Sequence, residues 1–326
     1  MRALVVRRLA PDYAGCALEA VPTPEPGPGE VRVRVRAAAV NFPDLLMTRG
    51  DYQHRPELPF TPGMEIAGEV DAAGEGTPFA VGEAVVGGTR TGGFAEYVVA
   101  PASPLRRKPD RLSFAEAAGV GASYLTAYVA LVRRARAAAG EWVLVHGAAG
   151  GVGLACIDMA RALGCRTIAA SASDDKLAVV AREYGPDATV NVTGGFRDQV
   201  KRITGGAGAD IVFDPVGGDV FDESLRCIAF DGRLLVVGFT SGRIPTVAAN
   251  LPLIKGFSVV GVRAGEYGRR FPDRGAENLA AVWRLVEEGA IRPRVHAELP
   301  LAEWRAAFDL LPNREVIGKA VIRPDL

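Results

Sequence analysis

Hydrophobic and polar positions divide the chain into two textures. Residues 31–37 read V-R-V-R-V-R-A, and the strict two-residue alternation of Val31, Val33 and Val35 with Arg32, Arg34 and Arg36 predicts a half-buried strand. The preceding P-T-P-E-P-G-P-G-E (22–30) fits neither a helix nor a central strand and is read as a loop. Further strands are predicted at 66–71, 83–87 and 94–100, with turn chemistry between them. The texture changes near residue 113. There Ser113 and Glu116 have the S-x-x-E spacing of a capping box at the head of an Ala-rich helix, and a second helix is predicted over 123–137. Apolar strands at 142–146, 166–170, 211–214 and 233–238 then alternate with helices, among them 152–163 and 176–184. Continuously apolar strands alternating with helices indicate an α/β fold, with a parallel sheet covered on both faces. Beyond residue 265 the pattern predicts helix 276–288, strand 295–299, helix 302–311 and strand 320–323.

At 326 residues, with 48% hydrophobic residues, the chain is long enough for two domains. Its 38 Lys+Arg balance 38 Asp+Glu, so no basic excess asks for nucleic acid or an anionic membrane as partner. Cys16, Cys156, Cys165 and Cys227 are scattered, without a C-x-x-C pair, as in chains that live in a reducing compartment. The N-terminal apolar run is too short for a secretory segment, and no stretch approaches the ~18 apolar residues of a spanning helix. A cytoplasmic, soluble protein is expected.

The strongest chemical signal is H-G-A-A-G-G-V-G (146–153), which comes after a predicted strand and opens a predicted helix. This is the setting of a dinucleotide fingerprint. Gly150 lets the backbone approach a pyrophosphate, Gly153 permits close packing of helix on strand, and the helix start at Gly151 and Val152 offers free N–H groups and a positive dipole end. At the end of the next strand, where an NAD site places an acid for the ribose hydroxyls, the chain reads A-A-S-A-S-D-D-K. Ser171, Ser173 and Lys176 suit a 2′-phosphate, which a carboxylate would repel, and NADPH is the expected cofactor. Ser173 also reads as a helix N-cap, and both roles are compatible.

These motifs occur with A-A-V-N-F-P-D-L-L-M (38–47), F-T-P-G-M-E-I-A-G-E-V (60–70), G-G-F-A-E-Y-V-V-A-P (92–101), S-Y-L-T-A-Y-V-A-L (123–131), F-D-P-V-G-G-D (213–219), L-L-V-V-G-F (234–239) and G-K-A-V-I-R-P (318–324). Over nearly its whole length the chain resembles the medium-chain dehydrogenase/reductase superfamily, specifically the zinc-free quinone oxidoreductases of the zeta-crystallin-like branch. The resemblance implies a GroES-like β domain (1–121 and 265–326) with an inserted Rossmann domain (122–264), a doubly wound parallel sheet that binds NADPH. It implies that Asn41 reaches toward the nicotinamide ribose and the acceptor. It also places Thr126 on the nicotinamide side, brings Gly238 and Phe239 to the cofactor through backbone groups, and puts Arg314 near the 2′-phosphate. Tyr52 matches in position a tyrosine that related enoyl-thioester reductases use as proton donor; a packing role is the other reading. Asp44 reads either as an orienting residue or as a loop cap. Two departures matter: Val192 stands where relatives often have a tyrosine near the phosphate, and Leu46 where some place an aromatic at the acceptor pocket.

No metal is expected. Zinc-dependent relatives carry Cys and His where this chain has Asn41 and Met64, and His54, His146 and His296 show no ligand spacing. His146 reads as a packing residue. Without a Lewis acid a conjugated acceptor is favoured, because hydride can add to its far end and hydrogen bonds stabilise the resulting enolate or phenolate. The expected activity is therefore NADPH-dependent reduction of quinones or small enones, by hydride or single-electron transfer. One alternative is an enoyl-CoA-type reductase, with Arg55, Arg269 and Arg270 candidates for a phosphate channel. The alternative from another class is an NADPH-binding structural or RNA-binding protein, for which Arg133, Arg134 and Arg136 form a local basic stretch; an ordinary helix surface is the preferred reading there. F-S-V-V-G-V (257–262) reads as an edge strand, and in the family this edge joins a twofold partner, so a homodimer is expected.

Overall fold

A computed structural model describes all 326 residues. The chain divides into two compact units, Met1–Gly121 with Pro293–Leu326, and Ala122–Arg292. The first unit opens with β1 (Arg2–Val6), antiparallel to β2 (Cys16–Ala20). Next come β3 (Glu30–Ala39), β4 (Glu65–Ala73), β5 (Ala84–Gly88), β6 (Tyr97–Pro101) and β7 (Leu105–Arg107). The alternation in β3 does what its period demands. Val31, Val33 and Val35 are buried, while Arg32 on the other face pairs with Asp71 at 2.6 Å and Arg36 with Glu69 at 3.3 Å. The strand expected over 94–100 begins only at Tyr97; Phe94 and Ala95 are buried ahead of it, and Ala95 bridges to Ala3. The capping box at Ser113 forms: Glu116 N donates to Ser113 Oγ at 3.1 Å, and Ser113 N donates to Glu116 at 2.8 Å.

The second unit carries β8 (Trp142–Val145), β9 (Arg166–Ser171), β10 (Ala188–Asn191), β11 (Ala209–Asp214), β12 (Ile228–Val236) and β13 (Ser258–Gly261). All pair in parallel, in the order β10-β9-β8-β11-β12-β13. This is the doubly wound arrangement, in which strand order reverses between β8 and β11. The helix expected over 123–137 starts as Gly121–Tyr128 and widens into π-helical turns over Val129–Ala135.

The chain then returns to the first unit with β14 (Val295–Pro300) and β15 (Lys319–Arg323), which completes the order β14-β15-β3-β4-β5-β7, with β6 also on β3. An edge-to-face stack of Tyr13, Phe94, Trp304 and Phe308 ties the C-terminal return into this core. The return comes later than the expected boundary at 264/265: residues 265–292 belong to the second unit. The reason lies in the packing of helix Pro272–Glu287. It buries Val282, Trp283 and Val286, and Arg133 grips Asn278 and Glu277, each at 2.7 Å. No helix is long and apolar enough to cross a membrane.

The second unit's interior makes two features testable. A Cβ at Gly153 would overlap the carbonyl oxygen of Gly147. Gly153→Ala is expected to cost at least about 1–3 kcal/mol, as overpacking against backbone does, read as a lower urea midpoint. His146 is 1% exposed and its Nε2 lies 2.8 Å from Ser224 Oγ, which itself donates to Val220 O. Burial pushes its pKa down to about 3 from 6.5, so the folded chain keeps the ring neutral while the unfolded chain protonates it. Its contribution is complete above pH 6.5 and is lost as pH falls toward 3. The slope approaches about 1.4 kcal/mol per pH unit, and Tm measured against pH should flatten over this window in His146→Asn.

Candidate active site

β8 runs into Gly147, whose φ of 58° turns the chain sharply, and the helix Gly151–Ala162 starts with Gly150 as its extended N-cap. Leu154 N, donating to Gly150 O at 2.9 Å, makes the first rung of the helical ladder, which leaves the amides of Gly151, Val152 and Gly153 at the open helix end. No side chain caps that end and its first turn holds no acid. The absence of side chains at 147, 150, 151 and 153 leaves backbone donors alone at the point where strand order reverses. This is the composition of a pyrophosphate cradle, and the residues present fit a dinucleotide.

Ser171 ends β9, and Ser173 N donates to its Oγ at 3.3 Å. Ser173 caps the helix Asp174–Tyr184, its hydroxyl accepting from Lys176 N at 3.3 Å. Lys176 is half-buried in that first turn. Asp174, the nearest acid, is tied at 2.7 Å to Asn191 Nδ2. At the ends of β11 and β12 two loops zip together, with Thr240 N donating to Pro215 O at 3.1 Å and Ser241 N to Val216 O at 2.9 Å. This holds Gly238 over Pro215, a Cβ there coming within 3.2 Å of the Pro215 carbonyl, and leaves Phe239 40% exposed. Asp214 underlies the turn. Nearly fully buried, it accepts from Val216 N and Gly217 N at 2.8 and 2.9 Å, and burial raises its pKa above the usual carboxylate range. Sequence reading assigns Asp214 no role, although its place before P-V-G-G, a turn in need of an acceptor, is an available signal. Thr126 is half-buried on Gly121–Tyr128.

In the first unit, Asn41 begins the helix Phe42–Arg49. Its Nδ2 donates to Glu65 Oε2 at 2.8 Å and to Ala39 O at 3.2 Å, and its Oδ1 accepts from Lys319 Nζ at 2.6 Å. Asp44 lies below it, fully buried, accepting from Asn41 N at 2.9 Å and Gly63 N at 3.1 Å. Burial pushes the Asp44 carboxyl up to about 7, against the lowering effect of these donors and of Lys319. Asp44 is thus both a cap and a brace between the helix and Gly63. Sequence reading does not single out Glu65 and Lys319, because β4 and β15 are distant along the chain. Tyr52 and Met64 are half-buried and both pack against one cluster, Val6, Met47 and Phe60. Leu46 is half-buried on the same helix as Asp44. Arg314 lies on an exposed turn with φ 57°, and Val192 is half-buried after β10. No three His, Cys, Asp or Glu side chains converge as a metal-binding group.

Residues 27–110 match the alcohol dehydrogenase GroES-like domain family, and residues 151–282 match the zinc-binding dehydrogenase family. A quinone oxidoreductase-like protein 2 homolog from Nematostella vectensis is 39% identical over 291 residues, which is 88% of this chain and 79% of the relative. Among solved structures, a probable oxidoreductase from Mycobacterium abscessus is 39% identical with a TM-score of 0.89, covering 99% of each chain. A mycobacterial protein complexed with NADPH is 31% identical with a TM-score of 0.90, covering 99% of this chain and 100% of the other. Sequence blocks, sheet order and these likenesses agree, and the chain belongs to the quinone oxidoreductase branch of the medium-chain dehydrogenase/reductase superfamily.

Proposed function

We propose that the chain is an NADPH-dependent reductase of quinones and small α,β-unsaturated carbonyls. The observation that carries this reading is the uncapped, acid-free helix start at Gly150–Gly153, succeeded one strand later by Ser171, Ser173 and Lys176 in place of a carboxylate. When bound, NADPH supplies a hydride or an electron to the acceptor. The amides of Gly151 and Val152 hold the pyrophosphate, Ser171, Ser173 and Lys176 take the 2′-phosphate with Arg314 as a further cation, and the backbone around Gly238 and Phe239, together with Thr126, lines the nicotinamide end. The NADPH complex of the mycobacterial relative supports the choice of cofactor.

Around the nicotinamide and the acceptor we assign Asn41 and Tyr52. Hydride arriving at the far carbon of an enone leaves an enolate, which needs a proton at its α-carbon. The Tyr52 phenol can supply that proton and regain it from water, or hydrogen-bond the developing oxyanion. Asn41 presents Oδ1 to a hydroxyl. The thioester alternative loses support because Arg269 and Arg270 are each paired with Glu266 at 3.0 Å. The RNA alternative loses support because Arg133 is held by Asn278 and Glu277, while Arg134 donates to Gly261 O at 3.0 Å. All four cysteines are free, in keeping with action in the cytoplasm.

A second copy of the chain is proposed as partner through β13, the outermost strand of its sheet. Around that edge Phe230, Leu253 and Ile254 are 82%, 81% and 72% exposed, an apolar surface that a paired edge would cover.

NADPH oxidation at 340 nm with 1,4-benzoquinone, and separately with crotonyl-CoA, tests the activity, with NADH as control. Turnover with the quinone in preference to the thioester is expected, and the reverse preference would move the protein to the thioester branch. With a small enone, Tyr52→Phe should lower kcat by about 10²-fold, the usual worth of a positioned acid, while leaving NADPH affinity intact. Light scattering should give twice the chain mass for the wild type, and Leu253→Glu with Phe230→Asp should shift it toward a single chain. A monomeric wild type removes the dimer.

A further inference from the structure

Asn41 is half-buried, but two of the groups that hold it are sealed off: Glu65 is 5% exposed and Lys319 7%. An amide side chain can be turned over by 180° with little steric change, so its neighbours' chemistry decides which end faces which way. Here the neighbours leave no choice. Lys319 can only donate, and it sits 2.6 Å from one end of the amide. Glu65 and the Ala39 carbonyl can only accept, and they sit at 2.8 and 3.2 Å from the other. Both Nδ2 hydrogens are therefore committed, so any further hydrogen bond of this amide is one that its Oδ1 accepts.

The clamp is itself held in place. Lys319 and Glu65 lie 3.5 Å apart and bridge β15 to β4. On one side the chain offers only glycine: a Cβ at Gly121 would come within 2.7 Å of Glu65 Oε1, and one at Gly119 within 3.4 Å of Lys319 Cγ. Asp44 fixes the backbone of Asn41 from below. A pair placed only to stabilise the sheet junction would not need a third polar side chain between its members.

We propose that Lys319 and Glu65 are positioning residues that orient the Asn41 amide so that it meets its ligand as a hydrogen-bond acceptor and never as a donor. The matching ligand group is a hydroxyl, which a nucleotide ribose presents, whereas a carbonyl oxygen of a quinone or enone is refused. This rests on the NADPH reading above and adds to it the residues that set the polarity of Asn41.

The test uses the full-length protein and four variants: Asn41→Ala, Glu65→Gln, Lys319→Met and the pair Glu65→Gln/Lys319→Met. For each, the dissociation constant for NADPH is measured by fluorescence titration, alongside Tm, KM and kcat. Lys319→Met strands two buried carboxylates and is expected to lower Tm sharply. The pair removes one of them and should recover much of that loss. Glu65→Gln leaves Lys319 donating to Oδ1, which still fixes the amide. Only in the pair, where an amide that can donate as well as accept stands at 65 and no donor-only group faces Asn41, is the side chain free to turn over. Glu65→Gln should bind NADPH as the wild type does, whereas in the pair NADPH affinity should fall about tenfold, the worth of one hydrogen bond, to the level of Asn41→Ala. KM for NADPH should rise in step, with a smaller change in kcat. If the folded pair binds NADPH as the wild type does, the positioning role is wrong and the NADPH reading stands. A wild-type protein that binds no NADPH overturns both.

Discussion

The contact between Gly153 and the carbonyl of Gly147 sets the terms for the nucleotide-binding unit. Helix and loop meet backbone to backbone, with no room for a single side-chain carbon. That approach allows the helix Gly151–Ala162 to lie close against the sheet, with the whole run from Gly153 to Ala160 buried. It also directs the helix start, with its unpaired amides and positive dipole end, to the place where the sheet reverses its strand order. A side chain at this point would push the helix away and turn an anion cradle into an ordinary helix cap.

The first unit solves a different problem, the burial of charge. Asp44, Glu65 and Lys319 are all inside, and each is satisfied by a donor or acceptor of the right kind. Taking charges out of water costs several kcal/mol per ion, and the cost is offset only when the geometry leaves nothing unpaired. The arrangement joins three stretches far apart in sequence: the head of the helix Phe42–Arg49, strand β4 and the first residue of β15. The C-terminal segment thereby brings Lys319 to Asn41, besides pairing with β3 in the sheet.

Local order is legible wherever the physics is local. The period of two in β3, the capping box at Ser113, the strand–Gly–helix sequence at 142–153 and the Ser173 cap each involve residues within one or two turns of one another, and each forms as its pattern requires. Harder to read are short strands that depend on partners. Neither β1 with β2 nor β10 carries a strong period of its own; the first pair is completed by mutual hydrogen bonds and the last by β9. The second boundary between units is displaced from its expected place for the same reason. Gly289 and Pro293 follow the helices Ala264–Arg270 and Pro272–Glu287, but which unit these helices join is decided by their packing and the grip of Arg133.

By itself the sequence determined the fold class, the nucleotide loop and the lack of an acid after β9, because these are properties of residue type and spacing; Asn41 and Tyr52 stood out only through the family resemblance. Tertiary structure decided what Asn41 can do. Its neighbours Glu65 and Lys319 lie 24 and 278 positions away, and no local pattern reports which end of an amide faces a donor and which an acceptor. Hydrogen-bond polarity belongs to the set of groups that the folded chain brings together, and it exists only once they meet.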